Sequence, residues 1–309
     1  MPFVTISACS RSAFGITKTG ELYASGANEH GQLGLINTET TLSINRFTKI
    51  NYLTHKVKQV ACGWAHTLLL TEDGELFVSG DGKNGELGLG KDLMKSNVFI
   101  KVESIEEKVT QVACGIWSSF VILESGKVLF WGRFRALKLG TIYTPTLLEN
   151  MNNVIKISVQ HNHILTYSFD GKVSGYGCNK YDQISLKEYE NYHIRDVFVG
   201  WNHSVLWLNS NELILFGKND HNQLAHSDKF CRKNVLKFEN EDIVDVSVGS
   251  DHTMVLTNKR LLIWGWNEHG ILGQNHTTQI YGSPQELNFD INRIKKIICG
   301  TASCFIITK

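Results

Sequence analysis

Residues Val57 to Gly90 read VKQVACGWAHTLLLTEDGELFVSGDGKNGELGLG, and this stretch decides the fold. An alternating run, VKQVACG, leads through a tight loop to the apolar run HTLLLT. The turn EDG follows, then ELFVSG, then a glycine-rich corner, NGELGLG. Runs of about six residues bounded by turn signals are strands, because an amphipathic helix needs roughly ten or more residues to show its face. The unit is a small antiparallel sheet.

The unit recurs. With the glycine that closes the first strand as a marker, the equivalent positions are Cys9, Gly63, Gly115, Gln160, Gly200, Gly249 and Gly300. They are 54, 52, 45, 40, 49 and 51 residues apart. A period of roughly 40 to 50 residues with about four strands per copy is the sign of a β-propeller, whose sheets bury their faces against one another. The expectation is one propeller domain over residues 1–309, with copies starting near 4, 57, 108, 154, 194, 243 and 293.

The copies differ in instructive ways. The third replaces the first corner glycine with Leu137, the fourth loses both corner glycines, and the fifth carries Asn222 and Ala225 in their place. The seventh, RIKKIICGTASCFIITK, holds only two strands, so one blade is incomplete. Either that blade is short, or a leading segment of the form LFxWGxNxxGQLG is absent from this chain. The second reading is favoured, because a two-stranded blade leaves an open sheet edge.

Composition sets limits on function. The chain has 309 residues, 42% of them hydrophobic, with 31 basic and 30 acidic side chains and a net charge of +1. The longest run of like positive charge is the pair Lys295-Lys296. Neither nucleic acid nor an anionic membrane is expected as a partner, since both call for concentrated basic charge. Cys62, Cys114 and Cys299 share one repeat position, so the seven cysteines read as buried free thiols of a reducing compartment. The expected location is the cytoplasm, with the nucleus as a second site.

No catalytic constellation is read. His66, His163, His203 and His252 each stand three residues after the marker. They read as histidines bonded to the backbone of their own loops rather than as metal ligands, because equivalent positions in different copies form a ring and not a cluster. The glycine corners lead into further strand or loop and not into a helix, so they are bends rather than phosphate cradles. No cofactor and no metal is expected.

The tryptophans carry the functional reading. Successive connections in an antiparallel sheet alternate between its two ends, so the loop after the first strand and the corner after the third open on the same side. Trp64, Trp117 and Trp201 lie in the first kind of loop, and Trp266 lies beside the second with Asn267, Glu268 and His269. Aromatic residues at loop tips are typical anchors of protein interfaces. The expected partner-binding set is Trp64, Trp117, Trp201 and Trp266, with Asn28, Glu29, Asn267, Glu268 and His269 as polar contacts. Trp131, Trp207 and Trp264 read as core.

The combined pattern VxxVxCGxxHxxxLTxDGxLFxxGxNxxGxLG resembles the repeat of the regulator of chromosome condensation family. That resemblance covers Val4 to Lys309 and implies a seven-bladed all-β propeller. The stretches Cys62 to Gly74, Val199 to Leu208 and Trp264 to Gly273 are similar to the secretion-regulating guanine nucleotide exchange factor branch. They also resemble its fungal relative, which partners a small metal-binding protein in diphthamide synthesis and tRNA modification. The resemblance thus implies a regulator that binds a protein, with three forms open. One is a non-catalytic scaffold, one an exchange factor for a small GTPase, and one the partner of a small metal protein. No basic tail and no long inserted wedge between strands is read.

Overall fold

In the computed structural model of the protein, the described residues are 3–9, 11–36, 42–267, 270–273 and 280–309. They form seven antiparallel sheets in chain order, each a meander in which sequence neighbours pair. The first comprises Phe3–Ala8, Ser12–Thr17, Leu22–Ala27 and Ser43–Lys49, and the second Val57–Cys62, His66–Thr71, Leu76–Asp81 and Lys95–Lys101. The third comprises Val109–Cys114, Ser118–Leu123, Val128–Arg133 and Thr141–Leu147. The fourth has only three strands, Val154–Val159, His163–Ser168 and Val173–Gly177. The fifth is Ile194–Val199, His203–Leu208, Glu212–Gly217 and Lys233–Lys237, and the sixth Ile243–Val248, His252–Thr257, Leu261–Trp266 and Ile280–Leu287. The seventh is the two-stranded pair Ile294–Cys299 and Cys304–Thr308.

The described chain therefore carries six blades of three or four strands and a partial seventh sheet, rather than seven full blades. The fourth blade lacks its outer strand because the segment ISLKEYENYH does not sustain a two-residue alternation: after Ile184 and Leu186 its larger residues, Tyr189 and Tyr192, stand three apart. A 3-10 turn over Lys187–Tyr189 stands there instead, and it buries Tyr189 against Phe216, with ring centroids 5.5 Å apart.

Internal packing groups the residues into two units. One comprises residues 1–157 with 168–170, and the other residues 158–167 with 171–309. Each unit has second strands that are buried along their whole length, as in HTLLLT of His66–Thr71 and HTMVLT of His252–Thr257. Both faces of such a strand meet apolar neighbours, so the sequence is continuous rather than alternating. In the first unit Leu68, Leu70 and Val78 of the second blade pack on Val112, Val121 and Trp131 of the third. In the second unit Val205 and Leu215 of the fifth blade pack on Val246, Val255 and Trp264 of the sixth, and Met254 and Ile263 then meet Ile294 and Ile297 of the seventh sheet. Trp131 and Trp264 are fully buried and Trp207 is buried, as the sequence predicts.

Within each unit, corners join one blade to the next. Asn28, Asn179, Asn219 and Asn267 each accept, through the side-chain oxygen, the backbone N–H five residues on, at 2.9 to 3.1 Å. Four residues after the asparagine, or after Gly82 at the equivalent place in the second blade, a carbonyl is left pointing at the following blade. That of Gln32 accepts from Thr67 and Ser79, that of Glu86 from Ser119 and the Trp131 indole, that of Gln183 from Ser204, and that of Gln223 from the Trp264 indole. Buried hydroxyls and indoles thereby find partners on a neighbouring blade, as burial demands. Left-handed backbone at the corner is supplied by glycine in the first, second and sixth copies, but Asp182 (φ 64°) adopts it in the fourth and Asn222 (φ 56°) and Ala225 (φ 54°) in the fifth.

Candidate functional site

The loop after the first strand is a tight turn. The marker N–H donates to the carbonyl three residues on, as in Gly63 to His66, Gly200 to His203 and Gly249 to His252. Glycine is required there for space: an ideal Cβ on Gly63, Gly200 or Gly249 would lie 2.1 to 2.2 Å from a carbon of the following histidine ring and under 3 Å from a carbonyl of the next blade's loop. Each loop also binds its successor. Trp64 N–H donates to the Ile116 carbonyl at 3.1 Å, and Trp201 N–H to that of Ser250 at 2.9 Å. The corner begins against the same loop, since Asp81 N–H donates to Ala65 and Trp266 N–H to Asp251.

None of the four tryptophans assigned to these loops lies in the core. In the first unit Trp64 is 44% exposed, and Trp117 is half-buried with the Arg135 guanidinium 5.9 Å from its ring. In the second unit Trp201 is half-buried beside His161, with centroids 5.6 Å apart, and Trp266 stacks on His221 at 5.0 Å with an interplanar angle of 13°. Around that stack Gln223 donates to the buried carboxylate of Asp251 at 2.9 Å. Burial raises the Asp251 pKa, against the pull of His221 and Lys218.

The polar members of the predicted set divide. Glu29 is exposed and held by Arg11 in a two-pronged ion pair of 2.6 and 2.7 Å. Asn28 and Asn267 are not surface contacts: they are 5% and 3% exposed, and their side-chain oxygens hold the corner backbone. The NxxG signature placed them correctly at the bend but gave no indication that the bend folds its asparagine inward. Glu268 and His269 lie outside the described residues.

The histidines also depart from expectation. All four are buried, but their rings do not serve the backbone of their own loops. His163 reaches the Ser204 hydroxyl of the next blade at 2.9 Å, and the rings of His66, His203 and His252 have no hydrogen-bond partner. Burial pulls His66 and His163 down to about 4 and His203 to about 3, so all three are neutral at physiological pH.

The cysteines are free, as expected, although only Cys9 is buried and the others are half-buried. One group of ligating side chains does converge. His252, Cys299 and Cys304 bring one donor atom each within 4.8 Å of one another, with the two sulfurs 4.0 Å apart. The Cys299 thiol beside it holds Cys304 down, to about 5, while burial and the same contact push Cys299 up. This cluster escaped the sequence reading because it joins non-equivalent positions of two successive copies. The signal for it was Cys304, which stands where Ser204 and Thr253 stand in the copies before it.

Comparison with known proteins matches this geometry. The RCC1-like domain family matches residues 2–306. The ultraviolet-B receptor UVR8 of Arabidopsis thaliana is 31% identical over 240 residues, which is 71% of this chain and 54% of the receptor. The secretion-regulating guanine nucleotide exchange factor of Mus musculus is 28% identical over 335 residues, 92% of this chain and 71% of that protein. The bovine counterpart is matched over 51% of its length, so the chain spans about half of some of the curated relatives it resembles. Among solved structures, Prp20p from Saccharomyces cerevisiae, described with its binding to Gsp1p and histones, superposes with a TM-score of 0.83 at 19% identity, covering 98% of this chain and 81% of that one. Human WBSCR16 gives the same TM-score at 20% identity, covering 98% and 86%. With its repeated blades, glycine corners and loop-to-loop bonding, this all-β propeller belongs to the RCC1-like domain family.

Proposed function

We propose that the chain is a non-catalytic regulatory module that holds a protein partner on its first-strand loops and corners. The observation that carries this reading is the aromatic loop tip, Trp64 at 44% exposure, repeated in half-buried form by Trp117 in the first unit and by Trp201 and Trp266 in the second. Large amphipathic rings fixed by main-chain bonds to a rigid scaffold lose little conformational freedom on binding, and this is what makes them anchors. Glu29 adds a polar contact in the first unit. The partner classes in view are a small GTPase and a small metal-binding protein.

The test is a pull-down from cell extract with wild type, a Trp64→Ala/Trp117→Ala variant and a Trp201→Ala/Trp266→Ala variant, after circular dichroism has verified folding. Capture by wild type and loss in one folded variant assigns the interface to that unit. Retention of every partner by both variants ends the proposal.

A second reading is exchange of guanine nucleotide on a small GTPase, and it rests on the named activity of the mammalian relatives. Exchange needs no bond chemistry, only tighter binding of the nucleotide-free GTPase than of the loaded form, which by linkage favours release. Release of a fluorescent GDP analogue from a candidate GTPase, measured with and without the protein, decides it: an unchanged rate for the captured GTPase excludes exchange and leaves the module reading.

A further inference from the structure

We propose that His252, Cys299 and Cys304 form a binding site for one thiophilic divalent metal ion, zinc being the reference, which fastens the two-stranded seventh sheet to the sixth blade.

The repeat itself creates the site. Two junctions earlier His163 points at Ser204, which lies four residues after the marker of the next copy, and the two bond at 2.9 Å. By the same geometry His252 faces the residue four after Gly300, and that residue is Cys304. Cys304 pairs directly across the hairpin with Cys299, and this brings the second sulfur in. Only at this junction does the histidine meet two thiols: around His66 the next copy offers Cys114 at the position of Cys299 but Ser119 at that of Cys304, and around His163 and His203 the place of Cys304 is taken by Ser204 and Thr253.

The distances suit a metal. Zinc–sulfur bonds of ~2.3 Å at a tetrahedral angle separate two sulfurs by roughly 3.8 Å, against the 4.0 Å seen here. His252 is fully buried with both ring nitrogens unpartnered, an arrangement that costs free energy unless something accepts a lone pair. Two thiolates and a neutral imidazole around a divalent ion make a neutral assembly, so the low-dielectric setting carries no net charge. On binding, Cys299 gives up the 3.3 Å bond it donates to the Ser247 carbonyl. The route in is a pocket of about 460 Å³ lined by Ala302, Ser303 and Cys304 together with Met254 and Leu272. Three protein ligands leave a fourth position for water or an exogenous donor.

The site also has a structural purpose. A two-stranded hairpin is marginal by itself, and among the described residues no further strand pairs with Cys304–Thr308. An ion bound only by the folded arrangement stabilises it by mass action.

Cobalt(II) titration of the reduced full-length protein under anaerobic conditions tests the proposal. The expected result is one equivalent bound, with thiolate-to-cobalt charge transfer in the near ultraviolet, intense tetrahedral bands in the visible, and displacement by zinc. Cys304→Ser and His252→Gln should each weaken binding at least about tenfold, since even losses in the outer shell cost that much. Cys231→Ser, whose sulfur bonds the Lys233 carbonyl elsewhere, should leave the titration unchanged. Zinc should raise the melting temperature of wild type over that in chelator, a readout that does not depend on any variant folding. Absence of charge transfer in reduced wild type, or an unchanged cobalt affinity in Cys304→Ser, overturns the site. So does a reduced protein that binds no metal and whose sulfurs instead join as a Cys299–Cys304 disulfide.

Discussion

At the scale of single residues, the tightest constraint is the marker glycine. Gly200 has an ordinary backbone conformation, so its identity is fixed by space alone: an added methyl would meet the His203 ring and the Ser250 carbonyl at 2.1 and 2.8 Å. The carbonyl is main chain of the next loop and cannot rotate away. Gly200→Ala is expected to destabilise the protein by about 2 kcal/mol, within the range for overpacking a filled interior, as read from urea denaturation. A loss below the error of that measurement would mean the loops slide past one another freely. Ala225 presents the reverse case. It holds the left-handed conformation at φ 54° where other copies have glycine. Ala225→Gly removes strain of about 1–2 kcal/mol while adding unfolded-chain entropy of about 0.5–1 kcal/mol, so a small net gain in the urea midpoint is expected. A lower midpoint would show that the Ala225 methyl contributes more by its packing than its backbone strain costs.

At the scale of the element, the corner is a hydrogen-bonded peg rather than a flexible bend. Asn219 is fully buried, donates to the carbonyls of His226 and Asp228 at 2.8 and 2.7 Å, and accepts from Leu224 N–H at 2.9 Å. Asn219→Ala leaves these main-chain groups unpaired and should cost about 2–3 kcal/mol, measured by thermal melting against wild type. A change under a few tenths would show that water takes the place of the amide. The strands and bends of this element were legible in the sequence, because two-residue alternation and glycine spacing are local signals. The direction in which its polar side chains point was not. Asn28 and Asn267 read as surface contacts and are internal pegs, since nothing local distinguishes an asparagine that faces water from one that caps its own turn. Gln59 was also unreadable: a register shift at Val57/Gln59 turns its amide toward the next blade, where it bonds both the N–H and the carbonyl of Val112. Such contacts depend on the partner copy some fifty residues away. The exposure of Trp64, by contrast, followed from loop geometry within one copy.

At the scale of the whole molecule, repetition multiplies one buried group into a pH dependence. His66 and His163 titrate near 4 in the folded chain because burial penalises the imidazolium, against 6.5 when exposed. Between pH 6.5 and about 4 the unfolded chain therefore binds more protons at these positions than the folded one. Their contribution to stability is complete above pH 6.5 and is lost as pH falls toward 4, at no more than about 1.4 kcal/mol per pH unit for each histidine. Glu86 and Asp245 work in the opposite sense in the carboxylate range, since burial raises both and their folded forms hold protons longer than the unfolded chain does. The histidine part can be isolated with His66→Leu, because the ring has no hydrogen-bond partner whose loss would confuse the result. Urea midpoints followed from pH 7 to 4.5 should fall less steeply in the variant than in wild type, by roughly one proton's worth of slope. Parallel slopes would mean that His66 is already charged in the folded state, and that a neutral buried histidine is not what this repeat position selects.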